Sequence, residues 1–335
     1  MGRIAFFLKR LARIDTRRFR ATFAKLRETT GKGTLALGFD LLVCGIRYNA
    51  GYMDYKIARM DRLNAAQRAT VITRGISNSI VARMNDKAYW HFFDDKCQFN
   101  ERFARWVQRA WLRADAGLTP ESLAGFCAGK GPLFIKPLEG SSGVGVERVE
   151  PEDFRDIPAF FKRLRDKGDC IVEEAVIQHP DMARLYPGSV NTVRIATLLG
   201  DKAEGIVYAF VRIGNGRVMD NIDAGGMAAR VDLESGVIQS VAADKEGHEF
   251  ARHPLTDEAI TGFQLPFFEE AKALCMEAMR IVPQVRFVAW DVALTADGPR
   301  LIEGNSFPSH AVPQFAAHYP DGIGILPEFR RFLDF

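Results

Sequence analysis

The sequence predicts an α+β protein with mainly antiparallel strands and a largely helical N-terminal third. Short runs rich in β-branched and aromatic residues, separated by Gly, Asp, Asn and Pro, begin near residue 130 of 335. Before residue 110, apolar positions recur at three- and four-residue spacing, which is typical of helices. Because strands and helices are clustered and do not alternate, an antiparallel arrangement is favoured over a parallel sheet.

Composition narrows the class of protein. A hydrophobic content of 47% with 26% charged residues is ordinary for a soluble globular protein. The net charge of +3 gives no indication of a nucleic-acid partner. The five cysteines are scattered and odd in number, which favours reduced thiols and a cytoplasmic location. No apolar run reaches the roughly 20 residues that a membrane-spanning helix needs.

Residues 1–30 concentrate the positive charge, with nine Lys and Arg against Asp15 and Glu28. Apolar residues at helical spacing (Ile4, Phe7, Leu8 and Leu11) make the start of this segment a basic amphipathic helix. One interpretation is a weak contact with the inner face of a membrane. The other is a helix that packs on its own domain and leaves a basic face in solvent.

Helices are expected within residues 54–84, at 151–168 between Pro151 and Gly168, and at 265–282. The segment TLALGFDLLVCGIRY, residues 34–48, is compatible with either a helix or a strand. Strands are predicted in PLFIKPL, GVGVERV, CIVEEAV, NTVRIATLL, GIVYAFVRI, MAARVDL, GVIQSVAA, RFVAWDVAL and RLIEGN.

The segment PLFIKPLEGSSGVGVERV, residues 132–149, places a lysine in an apolar strand before a glycine-rich loop. Glycines let a backbone approach a ligand closely, and successive N–H groups can bind an anion. The lysine precedes the glycines, so this is not a Walker A loop, and the strand that follows excludes a dinucleotide-binding fingerprint. An ordinary hairpin is the alternative, but Lys136 among Leu133, Phe134 and Ile135 needs an anionic partner.

Two further strands carry charge. CIVEEAV ends in Glu173 and Glu174, which fits either a strand end in solvent or a hinge that meets a purine edge. SVNTVRIATLL places Arg194 in an apolar strand, where a guanidinium requires a carboxylate or phosphate. A structural salt bridge explains Arg194 as well as a ligand does.

The segment FVAWDVALTADGPRLIEGNSFPSH, residues 287–310, is predicted to be a hairpin. A three-residue turn, Ala296 to Gly298, would set Asp291 opposite Glu303 and place Asn305 on the same face. Three oxygen donors suit Mg²⁺ or Mn²⁺ better than zinc. A two-residue turn of Asp297 and Gly298 would put Asp291 on the opposite face and weaken the case for a metal site.

In their order, these motifs resemble the ATP-grasp superfamily. The order is Asn85-Asp86-Lys87, the strand lysine, the glycine-rich loop, the Glu-Glu pair, the strand arginine and then D…ExN. The loop EGSSGVG is similar to that of D-alanine–D-alanine ligases. The stretches SVNTVRI, DNIDAGGMAARVDLESG and WDVALTADGPRLIEGN resemble most closely the sugar-transfer-associated ATP-grasp family.

The resemblance implies an ATP-grasp fold with a helical N-terminal region (1–85) for acceptor recognition, a small subdomain (86–174) and a large subdomain (175–335). It implies that ATP and two Mg²⁺ ions, replaceable by Mn²⁺, are bound. The implied ATP-binding residues are Lys87, Lys136, Glu139, Ser141, Ser142, Gly143, Glu173, Glu174, Val176 and Asp181. The implied metal ligands are Asp291, Glu303 and Asn305, and the implied catalytic residues are Arg194 and Asn221.

The function implied by the resemblance is an ATP-dependent ligase that forms an amide or similar acyl bond through an acylphosphate. Its substrates would be a small carboxylate and an amine, such as an amino acid and a sugar acid of bacterial surface polysaccharides. A phosphotransferase with the same site and a nucleotide-binding module without turnover are the alternatives. Tyr52, Tyr55, Arg59 and Arg62 are candidates for acceptor recognition, and His310 is a candidate acceptor-side group.

Overall fold

The structure is a computed structural model and describes residues 15–140 and 143–334. The predicted α+β class with mainly antiparallel strands is confirmed. The α-helices are α1 Thr16–Thr30, α2 Thr34–Tyr48, α3 Tyr52–Ile57, α4 Ala65–Arg68, α5 Arg74–Met84, α6 His91–Asp94, α7 Lys96–Arg102, α8 Ala104–Val107, α9 Pro120–Cys127, α10 Ile157–Lys167, α11 Pro180–Leu185, α12 Phe268–Ala278 and α13 Leu326–Arg330.

The strands are β1 Trp111–Ala114, β2 Leu133–Pro137, β3 Glu147–Val149, β4 Cys170–Glu174, β5 Thr192–Leu199, β6 Glu204–Ile213, β7 Met227–Arg230, β8 Ala242–Ala243, β9 Glu249–Phe250, β10 Phe287–Thr295 and β11 Gly298–Asn305. They form a four-stranded sheet in the order β1-β4-β2-β3 and a seven-stranded sheet in the order β11-β10-β5-β6-β7-β8-β9. Every named pair of strands in both sheets is antiparallel.

The N-terminal region is helical, as predicted. The ambiguous segment 34–48 is helix α2, which ends where Asn49 adopts the left-handed conformation at φ 55°. Its buried side chains share a small core with α1 and α3, which includes Leu26, Leu37 and Tyr55. The expected helix within 54–84 is broken into α3, α4 and α5, because residues between them close turns.

One sequence expectation about an element boundary is wrong, and one strand was not predicted. Helix α10 begins at residue 157 and not near Pro151, because the Asp156 side chain accepts a hydrogen bond from the Ala159 N–H and caps it. Strand β1 lies between the part predicted to be mostly helical, which ends near residue 110, and the predicted strands, which begin near residue 130; it pairs with β4 so that Trp111 faces Glu173. Its four residues are too few to show a period.

The large sheet is covered on both faces. One face packs against α6, α7, α8 and α12, with Trp290 fully buried at its centre. The other face packs in part against α5 and residues 312–333 around Phe210 and Phe287. The four-stranded sheet has its own core with α9 and α10. The division at residues 85/86 and 174/175 stays a prediction.

All five cysteines are buried and free. Within residues 15–140 and 143–334, no helix is both long and apolar enough to cross a bilayer. Most of the predicted amphipathic helix at the N-terminus lies outside the described residues, because the description begins at Asp15.

Candidate active site

A cleft lies where the two sheets meet. Two adjoining cavities of about 140 and 460 Å³ have lining residues in common, so they form one cleft. Most of the residues singled out in the sequence line it, although they come from both sheets and from the loop after β2. Those residues are Lys136, Glu139, Gly143, Glu173, Glu174, Val176, Asn221, Asp291, Glu303 and Asn305.

On the side of the four-stranded sheet, a buried carboxylate organises two cations. Glu173, only 1% exposed, pairs with Lys136 and accepts a hydrogen bond from Arg109 Nη2 at 2.9 Å. Asn100 Nδ2 donates to the same carboxylate at 2.7 Å. Burial raises the pKa of Glu173, but the charges of Arg109 and Lys136 more than offset this, so the pKa lies well below its ordinary value. Two cations around one carboxylate leave a net charge of about +1 facing the cleft.

This cluster answers the question of what anion accompanies Lys136. The partner is Glu173. In the β2–β4 ladder, Glu173 lies opposite Phe134, two residues before Lys136. The sequence interpretation did not include Arg109 or Asn100. Nothing local distinguishes Arg109 from the other arginines of residues 102–113, because its role follows from the strand pairing that brings Glu173 to it.

On the side of the seven-stranded sheet, Asp291 is buried between two arginines. Arg194 donates from Nε and Nη2 to its two carboxylate oxygens at 2.5 and 2.6 Å. Arg212 Nη1 donates to Oδ2 at 2.6 Å, and its Nη2 also donates to Asp220 Oδ1 at 2.7 Å and to Asn221 Oδ1. Burial raises the pKa of Asp291, and the charges of Arg194 and Arg212 reverse this shift and hold the pKa below its ordinary value.

Arg212 is a site residue that the sequence interpretation missed. It is the next-to-last residue of the predicted strand GIVYAFVRI and is buried with its neighbours. The same argument that singled out Arg194, a guanidinium in an apolar strand, applies to it. Asp220, which it contacts, also accepts a hydrogen bond from the Thr192 N–H at 2.9 Å.

The hairpin places Asp291 opposite Glu303, as predicted, but by a different route. Thr295 pairs with Gly298, so only two residues form the tip, and the predicted three-residue turn is wrong. The register shifts by one residue between Asp291 and Val292, and Ile302 is the extra residue of a β-bulge. The bulge therefore turns Glu303 to the side of Asp291.

Glu303 and Asn305 present oxygen atoms to the cleft. The Glu303 side chain is 43% exposed and lies 3.8 Å from Arg194 Nη2. Burial and the charge of Asp291 both raise the pKa of Glu303. Asn305 Nδ2 donates to the Ala289 carbonyl at 3.1 Å, which fixes the amide and leaves its oxygen for another partner. Two carboxylates and an amide fit Mg²⁺, although both oxygens of Asp291 already accept hydrogen bonds from arginines.

Within the described ranges, no three His, Cys, Asp or Glu side chains form a metal-binding cluster. The set of Asp291, Glu303 and Asn305 differs from such a cluster because its third member is an amide.

Lys96, not Lys87, is the lysine from the N-terminal side that reaches the cleft. Lys96 lines both cavities, and its Nζ donates to the Gly140 carbonyl at 3.1 Å. Burial lowers the pKa of Lys96, and the nearby Glu303 partly opposes that shift. Lys87 is exposed on a 3-10 turn, with its ammonium 5.7 Å from the Trp90 ring centre. The structure therefore does not bring Lys87 together with Lys136.

The glycine-rich loop folds against the segment that carries Asn221. Gly143 has φ 72°, and a Cβ added there would lie 2.8 Å from Asn221 Nδ2 and 1.8 Å from Met219 Cε. Glycine is favoured here, because φ is in the left-handed region and a Cβ would displace the ends of both side chains. Ser141 and Ser142, the predicted lid residues, lie outside the described residues.

Asp181 does not reach the cleft. It lies in α11, with its side chain about half exposed and 3.8 Å from Arg184. Arg194 is connected to the cleft by its ion pairs with Asp291 and Glu303, both of which line the cleft. Among the acceptor candidates, Tyr55 is fully buried and donates a hydrogen bond to Asp40, and Arg59 is paired with Asp61.

A second cleft of about 480 Å³ separates the N-terminal helices from the C-terminal part of the chain. Lys25, Lys56 and Arg62 line it and form no ion pair with any described residue. His310, the other acceptor candidate, lies beside Asp54 with a nitrogen–oxygen distance of 2.8 Å. That contact joins the loop after β11 to the N-terminal helices.

Comparison with known proteins places the chain among ATP-grasp proteins. Residues 76–320 match the family described as sugar-transfer associated ATP-grasp. D-alanine–D-alanine ligases of Mycobacterium sp. strains KMS and JLS are 23% identical over 187 residues. That match covers 53% of this chain, and the chain spans 39% of the length of these relatives.

Solved structures resemble the chain at lower identity. D-alanyl-alanine synthetase A from Vibrio cholerae O1 biovar eltor str. N16961 has a TM-score of 0.44 and 14% identity, covering 72% of this chain and 63% of its own. D-cycloserine synthetase DcsG has a TM-score of 0.45 and 12% identity, covering 83% of this chain and 92% of its own.

Proposed function

Since the chain belongs to the sugar-transfer associated ATP-grasp family, we propose that it is an ATP-dependent ligase that joins a carboxylate to an amine. In this reaction the substrate carboxylate attacks the γ-phosphorus and displaces ADP, which gives an acylphosphate. The amine then attacks the acyl carbon, and phosphate leaves. Atoms balance as one ATP, one acid and one amine giving ADP, phosphate and an amide.

The observation that carries the proposal is the distribution of charge across the cleft. One wall presents Lys96, Lys136 and Arg109 with a single buried carboxylate among them. The other wall presents Glu303 and Asn305 above the Asp291–Arg194 pair. A nucleoside triphosphate needs cations for its phosphate oxygens and oxygen ligands for its metal ions, so it fits between walls of this kind.

We assign the phosphates to Lys96 and Lys136, in place of Lys87 and Lys136. Backbone N–H groups of the glycine-rich loop, including Ser141, Ser142 and Gly143, would close over them. The adenine would lie against the end of β4, near Glu174 and Val176, with Lys136 held by Glu173. Asp181, in the first turn of α11, does not line the cleft, so we assign it no role toward the ribose.

Glu303, Asn305 and Asp291 would hold the magnesium ions, which neutralise phosphate charge when they are bound. Asp291 would exchange an arginine contact for a metal contact, since both of its oxygens already accept hydrogen bonds. Arg194 and Arg212 are placed to stabilise negative charge on the transferring phosphoryl group and the acyl oxygen. Asn221, held by Arg212 and in reach of the loop, would orient the substrate carboxylate.

The substrates that we propose are an amino acid and a sugar acid. The second cleft presents Lys25, Lys56 and Arg62 together with Asp244, Glu246 and Glu249, so it offers partners both to a carboxylate and to an amino group. The family's description links the chain to sugar transfer, and we propose the biosynthesis of surface polysaccharides in the cytoplasm as its setting.

The test is a screen for ADP release with amino acids against sugar acids in the presence of Mg²⁺, with product masses read directly. ADP and free phosphate in equal amounts, with a product lighter than the summed substrates by one water, would support the ligase. Glu303→Ala should abolish turnover, whereas Asp297→Asn at the exposed hairpin tip should not. Phosphate retained on the acceptor would instead identify a phosphotransferase, and no turnover with any pair would favour a binding module.

A further inference from the structure

Helix α2 exposes a continuous apolar stripe. Leu35, Phe39, Leu42 and Ile46 are 89%, 69%, 43% and 37% exposed. Their spacing of four, three and four residues places all of them on one face of the helix. Scattered apolar residues are ordinary on a protein surface, but an aligned row of four along a 15-residue helix marks a surface that contacts something apolar.

The acidic charge of α2 is turned away from this stripe. Asp40 is the helix's single acidic residue, and it points inward. It accepts hydrogen bonds from Lys32 at 2.6 Å, from Arg68 at 2.6 Å and from Tyr55 at 2.7 Å. Opposite the stripe, Leu37 and Cys44 are buried in the core shared with α1 and α3. The helix therefore has one apolar face in the core and a second one in solvent.

The neighbouring helix supplies positive charge. Residues 31–33 alone connect α1 to α2, and α1 carries one exposed acid, Glu28, against five exposed cations, one of which (Lys25) lines the second cleft. The five are Arg17, Arg18, Arg20, Lys25 and Arg27. None of the five forms an ion pair with a described residue. By contrast, Lys32 and Arg68 of the same region are paired with Asp40. The helical pair thus combines an apolar stripe with unneutralised basic side chains.

We propose that α1 and α2 dock the protein on the surface of a bilayer that contains anionic phospholipids. Leu35, Phe39, Leu42 and Ile46 enter the boundary between headgroups and acyl chains, and the cations of α1 contact lipid phosphates. Both the apolar stripe and the cations are needed. A basic face without an apolar one is released from the membrane by salt, and an apolar face alone does not select anionic lipid. The proposal extends the basic-segment interpretation of residues 1–30 to a surface in α2, and it does not depend on the ligase activity.

The experiment is co-sedimentation of the full chain with large unilamellar vesicles. Vesicles of phosphatidylcholine alone are compared with vesicles that contain 30% phosphatidylglycerol (about one lipid in three). We expect the partition coefficient to be at least about tenfold higher for the anionic vesicles, and to fall as salt screens the charges.

The decisive variant is Leu35→Gln with Phe39→Gln, which removes the two most exposed residues of the stripe. We expect about a tenfold or greater loss of vesicle binding, since the free energy gained by moving each apolar side chain from water into the lipid is lost. The matched control is Ile177→Gln with Leu255→Gln, at positions 83% and 61% exposed outside this region, and it should bind like the unaltered chain. Circular dichroism and ADP release should be unchanged in both.

Three outcomes would overturn the proposal. The first is equal sedimentation of the stripe variant and the unaltered chain. The second is a dimer, seen by light scattering, that the stripe variant converts to monomer, because then a second copy covers the stripe. The third is a large loss of thermal stability in the stripe variant without loss of vesicle binding, which would mean that another part of this chain packs on the stripe.

Discussion

Arg212 connects two buried carboxylates, so its removal should destabilise the large sheet in a way that depends on pH. Its guanidinium donates to Asp291 at 2.6 Å and to Asp220 at 2.7 Å. In the variant Arg212→Met, Asp291 keeps Arg194, but Asp220 keeps only the N–H and hydroxyl of Thr192. Leaving a buried charge without its ion partner costs about 3–5 kcal/mol. Asp220 can reduce this cost by taking up a proton. We therefore expect Arg212→Met to lower the free energy of unfolding by about 3 kcal/mol at pH 8.

The pH dependence follows from the direction of the pKa of Asp220. Burial already raises this pKa above the ordinary value of 3.8, and Arg212 opposes the rise. Without Arg212 the pKa rises further, so the folded variant binds a proton that the unfolded chain does not bind. An acid with a raised folded-state pKa makes the fold more stable as pH falls toward that pKa. The deficit of Arg212→Met should therefore shrink between pH 8 and pH 5.

The assay is urea unfolding followed by the fluorescence of the tryptophans, one of which, Trp290, is fully buried in the same sheet. Arg212→Met is compared with the unaltered chain at pH 8, 7, 6 and 5. The double variant Arg212→Met with Asp220→Asn should regain at least about half of the loss and lose the pH dependence, since no carboxylate remains unpaired. A loss under about 1 kcal/mol at pH 8, or a deficit that does not change with pH, would refute the reasoning.

Three further predictions concern the proposed ATP site. Glu303→Gln should lower Mg²⁺-dependent ADP formation by at least about a hundredfold, with unfolding free energy within about 1 kcal/mol, since the side chain is 43% exposed and its metal-ligand charge is lost. Lys96→Met should weaken ATP binding about tenfold in titration calorimetry, because the ammonium lines the cleft, whereas Lys87→Met should leave it within about twofold. Gly143→Ala should weaken ATP binding by about tenfold, since a Cβ would meet Asn221 and Met219, while Gly129→Ala, with φ 69° and open space, should cost about 1 kcal/mol of stability only.

Each of these has an outcome that contradicts it. Full activity of the Glu303 variant would remove that residue from the metal site. A larger effect at Lys87 than at Lys96 would favour the sequence assignment over the geometry. Equal ATP affinity of the Gly143 and Gly129 variants would show that closure of the loop on Asn221 is not needed.

The sequence indicated which cations of the cleft need a partner, but not which carboxylate each one meets. Lys136 and Arg194 stood out because each is a charge in an apolar strand, and both have carboxylate partners, Glu173 and Asp291. The partners lie 37 and 97 residues away along the chain. Which carboxylate meets which cation depends on strand order, and strand order is a property of the whole sheet.

The two lysines of the N-terminal side show the opposite case. Lys87 was favoured because of the motif around it, and Lys96 had no local signal. The helix cap at Asp95 directs α7 so that Lys96, at its first position, reaches the carbonyl of Gly140. Such a contact is decided by how a short helix packs, and a motif of three residues carries no information about it.

By itself, the sequence determined the α+β class, the helical N-terminal third and the family, because period, turn residues and motif order are local properties. It also indicated that Asp291 and Glu303 face each other, although for the wrong reason. Only the tertiary structure decided that a bulge at Ile302 produces this register, that Arg212 and Arg109 complete the charge clusters, and that α2 keeps an apolar face in solvent. These features depend on which distant segments meet, since burial and ion pairing are set by packing and not by neighbours along the chain.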